Sequence, residues 1–213
     1  MKISRSILLF LCFALFSCEN DPVDYGLGEY FQDIVTAAEN RIFLLDNGKQ
    51  VYEQQTGDTA NVYQAGKRVV LIYSYTDSNV SENLRPVHIH QSYAIPLGEL
   101  KTTTTMNIGR LPEIPIQLQS VWMGSHYLNF RFYMEYKSET HSMMLVCDEK
   151  KSGNAEQTLY LKHDTNKDPA GYWVFTLMSI DLSRVLGEPT GERTLHVHLQ
   201  TTNYGEKTYT FKY

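Results

Sequence analysis

The chain has 213 residues, enough for one or two domains with cores of their own, and 42% of them are hydrophobic. Its net charge at neutral pH is −5, and its lysines and arginines form no dense basic cluster. Because a nucleic-acid-binding protein needs a basic face, the composition argues against nucleic acid as a partner.

The first 17 residues have the parts of a secretion signal. Lys2 and Arg5 precede an unbroken apolar run, Ile7 to Phe16, which is followed by the small residue Ser17. A helix needs about 20 apolar residues to cross a bilayer, so this run is too short to be a membrane anchor. We therefore predict that residues 1–17 are a removable lipoprotein signal peptide.

Cys18 follows this signal directly. The residues Leu15-Phe16-Ser17-Cys18 resemble a bacterial lipobox, in which the cysteine becomes the acylated first residue of the mature protein. Two or more acyl chains anchor a protein stably, because each buried methylene contributes about 0.8 kcal/mol. We predict that Cys18 is lipidated, typically with palmitate, and that the protein is an outer-membrane lipoprotein of the cell envelope. The alternative is a plain signal peptide with an incidental Cys18.

Residues 18–28 are predicted to form an acidic tether. Removing residues 1–17 leaves 17 basic and 24 acidic side chains, a net charge of −7. The acidic residues after Cys18 resemble a surface-export tag of some envelope lipoproteins, and a soluble tether is the alternative. Cys12 leaves with the signal, so Cys147 has no cysteine partner and is predicted to be a small buried hydrophobe.

The mature chain divides near residue 115. The segment 29–40 has apolar residues at helical spacing and, on pattern alone, predicts a short amphipathic helix. Pro112 and Pro115 lack the N–H groups that a central strand needs, so they suggest a boundary. We therefore predict two β units, 29–115 and 116–213, each of normal domain size.

Period-two alternation dominates the second unit. Residues Tyr127 to Tyr136 alternate apolar and polar side chains, which predicts a strand with one buried face. In the segment 172–178 apolar residues follow one another, so that strand is predicted to be covered on both faces. Asp181 is expected to cap one helical turn, 183–186, before Gly187. Fifteen tyrosines and abundant Thr, Val and Ile favour an all-β protein.

Several segments resemble the NigD-like lipoproteins of Bacteroidetes: "VWMGSHYLNFRFYM" (121–134), "LYLKHDTNKDPAGYWVFTLMSIDLS" (159–183) and "TTNYGEKTYTFKY" (201–213), with looser similarity at 34–48 and 65–77. The resemblance implies an OB-like β-barrel followed by a β-sandwich. It also implies that residues 31–38 form a strand rather than a helix, and we follow it there. The family comes with no established reaction, so the resemblance supplies no catalytic residues.

Two His-x-His pairs are candidate metal ligands. Residues i and i+2 of a strand point to the same side, so His196 and His198, or the pair within 88–90, could present two imidazoles to one ion. However, Leu195, Val197 and Leu199 occupy the opposite face of that strand, which makes the histidine side typical of an ordinary solvent face. The predicted domain boundary also separates the two pairs.

The segment 164–168 begins like a calcium-binding loop. Asp164, Asn166 and Asp168 place oxygen ligands at alternate positions, as a hard cation requires. Pro169 and Phe175 stand where an EF-hand needs glycine and glutamate, so only a looser calcium site remains. The alternative is a hairpin loop held by Asx turns.

These patterns leave two hypotheses about function. The first, which we favour, is a non-catalytic envelope lipoprotein that binds a protein or polymer partner and needs no cofactor. Tyr127, Tyr133 and Trp122 are candidates for an exposed aromatic platform for a sugar or a protein. The second is a cell-surface enzyme, metal-assisted or glycan-directed, although no catalytic motif of high specificity is present.

Overall fold

The computed structural model describes residues 29–54, 64–76, 83–153 and 155–213. The predicted signal peptide, the tether and Cys18 lie outside these residues. Within them, the structure contains no helix that is both long and apolar enough to span a membrane. The chain is all-β, as predicted, and is built as a barrel followed by a larger sheet.

Five strands form the closed barrel, in the order β1-β2-β3-β5-β4. Their bounds are β1 Phe31–Ala37, β2 Ile42–Leu45, β3 Gln50–Glu53, β4 Arg68–Tyr75 and β5 Leu84–Ala94. A five-stranded barrel is the architecture of OB-like domains. Its interior is filled by ten buried apolar side chains, among them Val35, Phe43 and Leu71.

Strand β1 shows why the helical pattern misleads. Its register is continuous with β4, from Phe31↔Tyr73 to Thr36↔Arg68. Val35 and Ala37 are two residues apart and both fully buried, which is the period of a strand. In so short a segment, apolar spacing alone does not separate the two periods. The strand implied by the family resemblance is the correct assignment.

The second unit is an eight-stranded sheet in the order β13-β12-β10-β9-β6-β11-β8-β7. Its strands are β6 Leu97–Thr103, β7 Gln117–Gly124, β8 Tyr127–Tyr136, β9 Ser142–Asp148, β10 Glu156–Asp164, β11 Tyr172–Asp181, β12 Thr194–Thr201 and β13 Gly205–Lys212. The sheet folds over one apolar core that includes Phe130, Phe132 and the buried Cys147. A bridge between Ile116, just before β7, and Thr201, at the end of β12, brings the two ends of the sheet together.

The chain passes from barrel to sheet at Ile95 and Pro96, earlier than the boundary near residue 115 that the prolines suggest. The Ile95 N–H donates to the barrel residue Arg68, and the Pro96 carbonyl accepts from Ser179 of the sheet. Strand β6 and the short helix α1 (Thr105–Ile108) therefore already belong with the second unit. Prolines interrupt strand pairing inside a domain as well as between domains.

A second short helix, α2 (Ser183–Leu186), follows β11. The Asp181 carboxylate accepts from both the N–H and the hydroxyl of Ser183, at 2.9 and 2.6 Å. Gly187 ends the turn with φ of 75°, a left-handed conformation that favours glycine. Both features agree with the expectation from sequence.

Candidate functional site

Strand β11 is paired differently along its two edges. One edge pairs with β8 over the whole strand, from Tyr172↔Tyr136 to Asp181↔Tyr127. The other edge pairs with β6 only at Ser179↔Leu97 and Ile180↔Gly98. Within the described ranges, no strand pairs with this edge between Tyr172 and Met178. We call Met178–Asp181 the closed end of β11 and Tyr172–Leu177 its open end.

The backbone at the open end has hydrogen-bonding groups that face away from β8. The Ser179 N–H points toward β6, because it donates to the Pro96 carbonyl at 3.2 Å. Backbone groups alternate in direction along a strand, and the register with β8 has no bulge. The N–H and C=O groups of Leu177, Phe175 and Trp173 therefore point to the same, unpaired side.

A groove with a volume of about 540 Å³, which we call the edge groove, lies beside this open end. Phe175 and Leu177 stand on one face of β11 and Thr176 on the other, yet all three line it. A cavity that contacts both faces of a strand must run along its edge. The barrel supplies the opposite wall, and the complete lining is Gln32, Val70, Tyr93, Ala94, Ile95, Pro96, Met134, Phe175, Thr176 and Leu177.

Large aromatic side chains are exposed at the groove. Tyr93 is 52% exposed, Phe175 48%, and Trp173 at the outer end 47%. Phe175 contacts Tyr133 edge to face, with ring centroids 5.4 Å apart. The prediction that this strand is covered on both faces is therefore wrong for its open end. An exposed apolar patch of this kind is typical of an interaction surface.

Tyr127, by contrast, does not belong to an exposed platform. It is 5% exposed, and its ring lies under the Arg68 guanidinium, with 4.2 Å between Cζ and the ring centroid. Burial raises the pKa of its hydroxyl. Trp122 and Tyr133, the other two candidates, are half-buried.

A buried polar network joins barrel and sheet at the closed end. Arg68 donates to both carboxylate oxygens of Asp46, at 2.6 and 2.7 Å, and to Oδ1 of Asn129 at 3.1 Å. The Ser179 hydroxyl donates to the same Asn129 oxygen at 2.6 Å. Because Arg68 is a barrel residue and Asn129 and Ser179 belong to the sheet, this network fixes the distance between the two walls of the edge groove.

The segment 164–168 is a loop held by hydrogen bonds. Asp168 accepts from the backbone N–H groups of Lys137, Ser138 and Glu139 at 2.7, 3.1 and 3.1 Å. Burial raises the pKa of this carboxyl, but these bonds and one from His141 outweigh burial and lower the pKa to about 2.

The other two calcium candidates in this loop also form hydrogen bonds. Asp164 accepts from the Asn166 N–H at 2.9 Å, which is the geometry of an Asx turn. The Asn166 amide in turn donates to the Ser142 hydroxyl at 3.2 Å. The loop therefore has the hydrogen bonds expected for the Asx-turn alternative.

His196 and His198 lie on the same side of β12, half-buried, as the period of the strand requires. The His198 ring stacks on Tyr160 with centroids 4.8 Å apart, and burial lowers its pKa. His88 and His90 lie in the barrel, where the rings contact each other edge to face. Across the part of the chain that the structure describes, no three His, Cys, Asp or Glu side chains are grouped to hold a metal ion.

Comparison with known proteins agrees with this architecture. A Bacteroides vulgatus protein of unknown function is 21% identical, with 87% of this chain and 91% of that chain covered and a TM-score of 0.73. A Bacteroides fragilis protein, provisionally named a lipoprotein, is 14% identical, with 87% and 98% covered and a TM-score of 0.63. A NigD-like immunity protein from Bacteroides caccae is 18% identical, with 88% and 93% covered and a TM-score of 0.59.

At these identities the structures show the shared fold alone. No protein of curated function matches the chain. The family model of the NigD-like C-terminal β-sandwich domain matches residues 99–213, more than half of the sequence. The resemblance inferred from sequence is thereby confirmed, and the chain belongs to the NigD-like family.

Proposed function

We propose that this chain is a non-catalytic, lipid-anchored protein of the cell envelope that binds another protein in the edge groove. The observation that carries the proposal is the open end of β11, where Phe175 lines a mainly apolar cavity and is about half exposed, as is Trp173 two residues away. Aromatic side chains are enriched at protein interfaces, where they bury large apolar areas.

The rigid closed end supports the same role. Arg68, Asp46 and Asn129 hold barrel and sheet together on a network that is already formed without a partner. A preformed site binds with a smaller loss of conformational entropy than one that must be ordered on binding. The groove therefore has the rigidity expected of a binding module.

The anchor is part of the proposal. Lipidation of Cys18 after removal of residues 1–17 would hold the two β units beside the outer membrane. The provisional name of the Bacteroides fragilis relative agrees with this location. We expect mass spectrometry of the purified protein to give a diacylated or triacylated Cys18 as the first residue. A Cys18→Ala variant that still fractionates with membranes would count against the anchor.

A protein partner is favoured over a glycan because the lining of the edge groove is mostly apolar. The Bacteroides caccae relative is named an immunity protein, which agrees with binding rather than catalysis. The partner class rests on the lining of the groove, since at 18% identity the relative supports the fold alone.

Affinity capture from envelope extracts tests the function. The anchored wild-type protein and the variants Phe175→Asp and Tyr204→Asp are each cross-linked in cells and purified. The proteins that are cross-linked to each of them are then compared. Tyr204 is an exposed tyrosine, at 61%, that does not line the groove. We expect at least one cross-linked protein to be kept by wild type and Tyr204→Asp and lost with Phe175→Asp. Equal recovery by all three, or turnover of a glycan panel by the purified protein, would contradict the proposal.

A further inference from the structure

We propose that the partner binds by adding a strand to β11: an extended segment of the partner pairs with the backbone of Trp173, Phe175 and Leu177 inside the edge groove. The proposal rests on the proposed function and specifies how the partner is held. Strand addition to an exposed sheet edge is one of the recurring modes of peptide recognition, in which main-chain hydrogen bonds supply much of the affinity.

The position of the added strand follows from where β6 begins. The two strands are parallel and pair at Ser179↔Leu97 and Ile180↔Gly98, so the β11 edge from Leu177 back to Tyr172 lies before the first residue of β6. The next place along the β11 edge is the edge groove. Neighbouring strands lie about 4.8 Å apart, so an added strand would continue the sheet order at the position that β6 occupies only briefly.

The backbone groups define what can fill this place. A bound helix or polyproline segment could not pair with the outward N–H and C=O groups of Phe175 and Leu177, and covering them unpaired would be costly. An extended segment satisfies them. Its side chains would alternate between the barrel wall, at Val70 and Tyr93, and the opposite side, at Met134. Both sides are apolar, so the segment must be apolar on both faces.

Hydrogen exchange of the free protein gives the first test. The amides of Val174, Thr176 and Met178 point toward β8 and should exchange slowly. The amides of Trp173, Phe175 and Leu177 should exchange fast, because nothing in the described chain pairs with them. Equal protection of both sets would mean that the edge is already covered, and would overturn the proposal.

The second test uses a display library of random linear peptides, panned against the purified wild-type protein. We expect enrichment of peptides with an apolar centre, which protect the three outward amides from exchange. Methylating alternate peptide nitrogens should weaken binding about tenfold or more, whereas methylating the intervening nitrogens should not. Failure to enrich such peptides, or binding without amide protection, would overturn the proposal.

Two substitutions at one position separate backbone pairing from ring contact. Phe175→Pro removes an outward N–H, a change that edge strands tolerate, and should abolish peptide binding. Phe175→Ala removes only the ring and should weaken binding while amide protection persists. If Phe175→Pro does not fold, amide protection in the wild-type protein still decides the question.

Failure of this mode is distinguishable from failure of the proposed function. If Phe175→Asp loses an envelope partner but no peptide protects the outward amides, the partner binds through side chains and only strand addition is overturned. If the envelope yields no partner that depends on Phe175, the proposed function fails whatever the peptides do.

Discussion

The two ends of β11 contain similar apolar residues in opposite surroundings. At the closed end, Ile180 is fully buried and its neighbour Ser179 pairs with strands on both sides. At the open end, Phe175 is about half exposed and one edge of the backbone has no strand beside it. A single strand thus passes from the core of the molecule to its surface within a few residues.

The difference has one cause: β6 begins only at Leu97, beside Ser179, and the chain before it belongs to the barrel. Where β6 is present, barrel and sheet close over a polar network centred on Arg68. Where β6 is absent, the same two units stand apart and leave the edge groove. The closed end should therefore determine stability and the open end recognition, and each of the substitutions below tests one side of that division.

Among the substitutions at the polar network, the Asp168 loop and the open end, Arg68→Met should have the largest effect on stability. It leaves the Asp46 carboxylate and the Asn129 amide without their buried partner, which should lower the free energy of unfolding by about 3 kcal/mol. Denaturant unfolding measures the loss. Lys101→Met is the control, because it removes an exposed pair, Lys101–Glu99, and should cost less than about 1 kcal/mol. Equal stability of the two variants would show that the closed end does not hold the fold.

Gly124→Ala should have the next largest effect. A Cβ at this position would lie 2.7 Å from the Cβ of Asp46 and closer still to its carboxylate. Asp46 would have to move away from Arg68, at a cost of about 1–3 kcal/mol in unfolding free energy. Gly153→Ala is the matched control, since nothing lies within 4 Å of an added Cβ there. If both variants unfold at the same denaturant concentration, the network tolerates displacement of Asp46 and contributes less to stability than we infer.

Sequence patterns predicted the all-β class and the turn after Asp181, because these depend on local periodicity and capping. The predicted one-sided burial of β8 is wrong for its first half, where Tyr127 and Asn129 on the second face are buried as well. Sequence patterns could not predict the open end of β11. Apolar residues at six of the seven positions 172–178 are compatible with a strand buried on both faces. Whether such a strand is covered depends on where a distant neighbour, β6, starts to pair with it, and no local pattern contains that information.

The function of the candidate calcium ligands could not be predicted from local sequence either. Alternate oxygen ligands at 164–168 suit a cation, yet the same atoms serve equally well as acceptors for backbone N–H groups. Only the fold reveals that residues 137–139, which follow β8, lie beside Asp168 in the loop before the neighbouring strand β11. The predicted aromatic platform is wrong at Tyr127 for a similar reason. Its ring is covered by Arg68, which belongs to the other unit.

In the loop before β11, Asp168→Asn should reduce stability in a pH-dependent way. The folded pKa of about 2 lies below the ordinary value of 3.8, so the stabilising contribution is complete above about pH 4 and disappears as the pH falls toward 2. We expect the variant to melt at a lower temperature than wild type at pH 7 and the difference to shrink below pH 4. Thermal melts at stepped pH measure it, with the exposed Glu99→Gln as control. A difference that stays constant with pH would exclude the carboxylate charge as its source.

Phe175→Ala should have the smallest effect on stability. The ring is half exposed and contacts Tyr133 at its edge, so its removal should cost less than about 1 kcal/mol. The same substitution at Phe132, which is fully buried, should cost about 3–5 kcal/mol. Parallel denaturant unfolding of the two variants compares them directly. If Phe175→Ala were as destabilising as Phe132→Ala, the ring would be part of the core and the open end would lose its role in binding. A small cost, together with loss of the partner in cells, leaves recognition as the reason for an exposed aromatic ring at an unpaired edge.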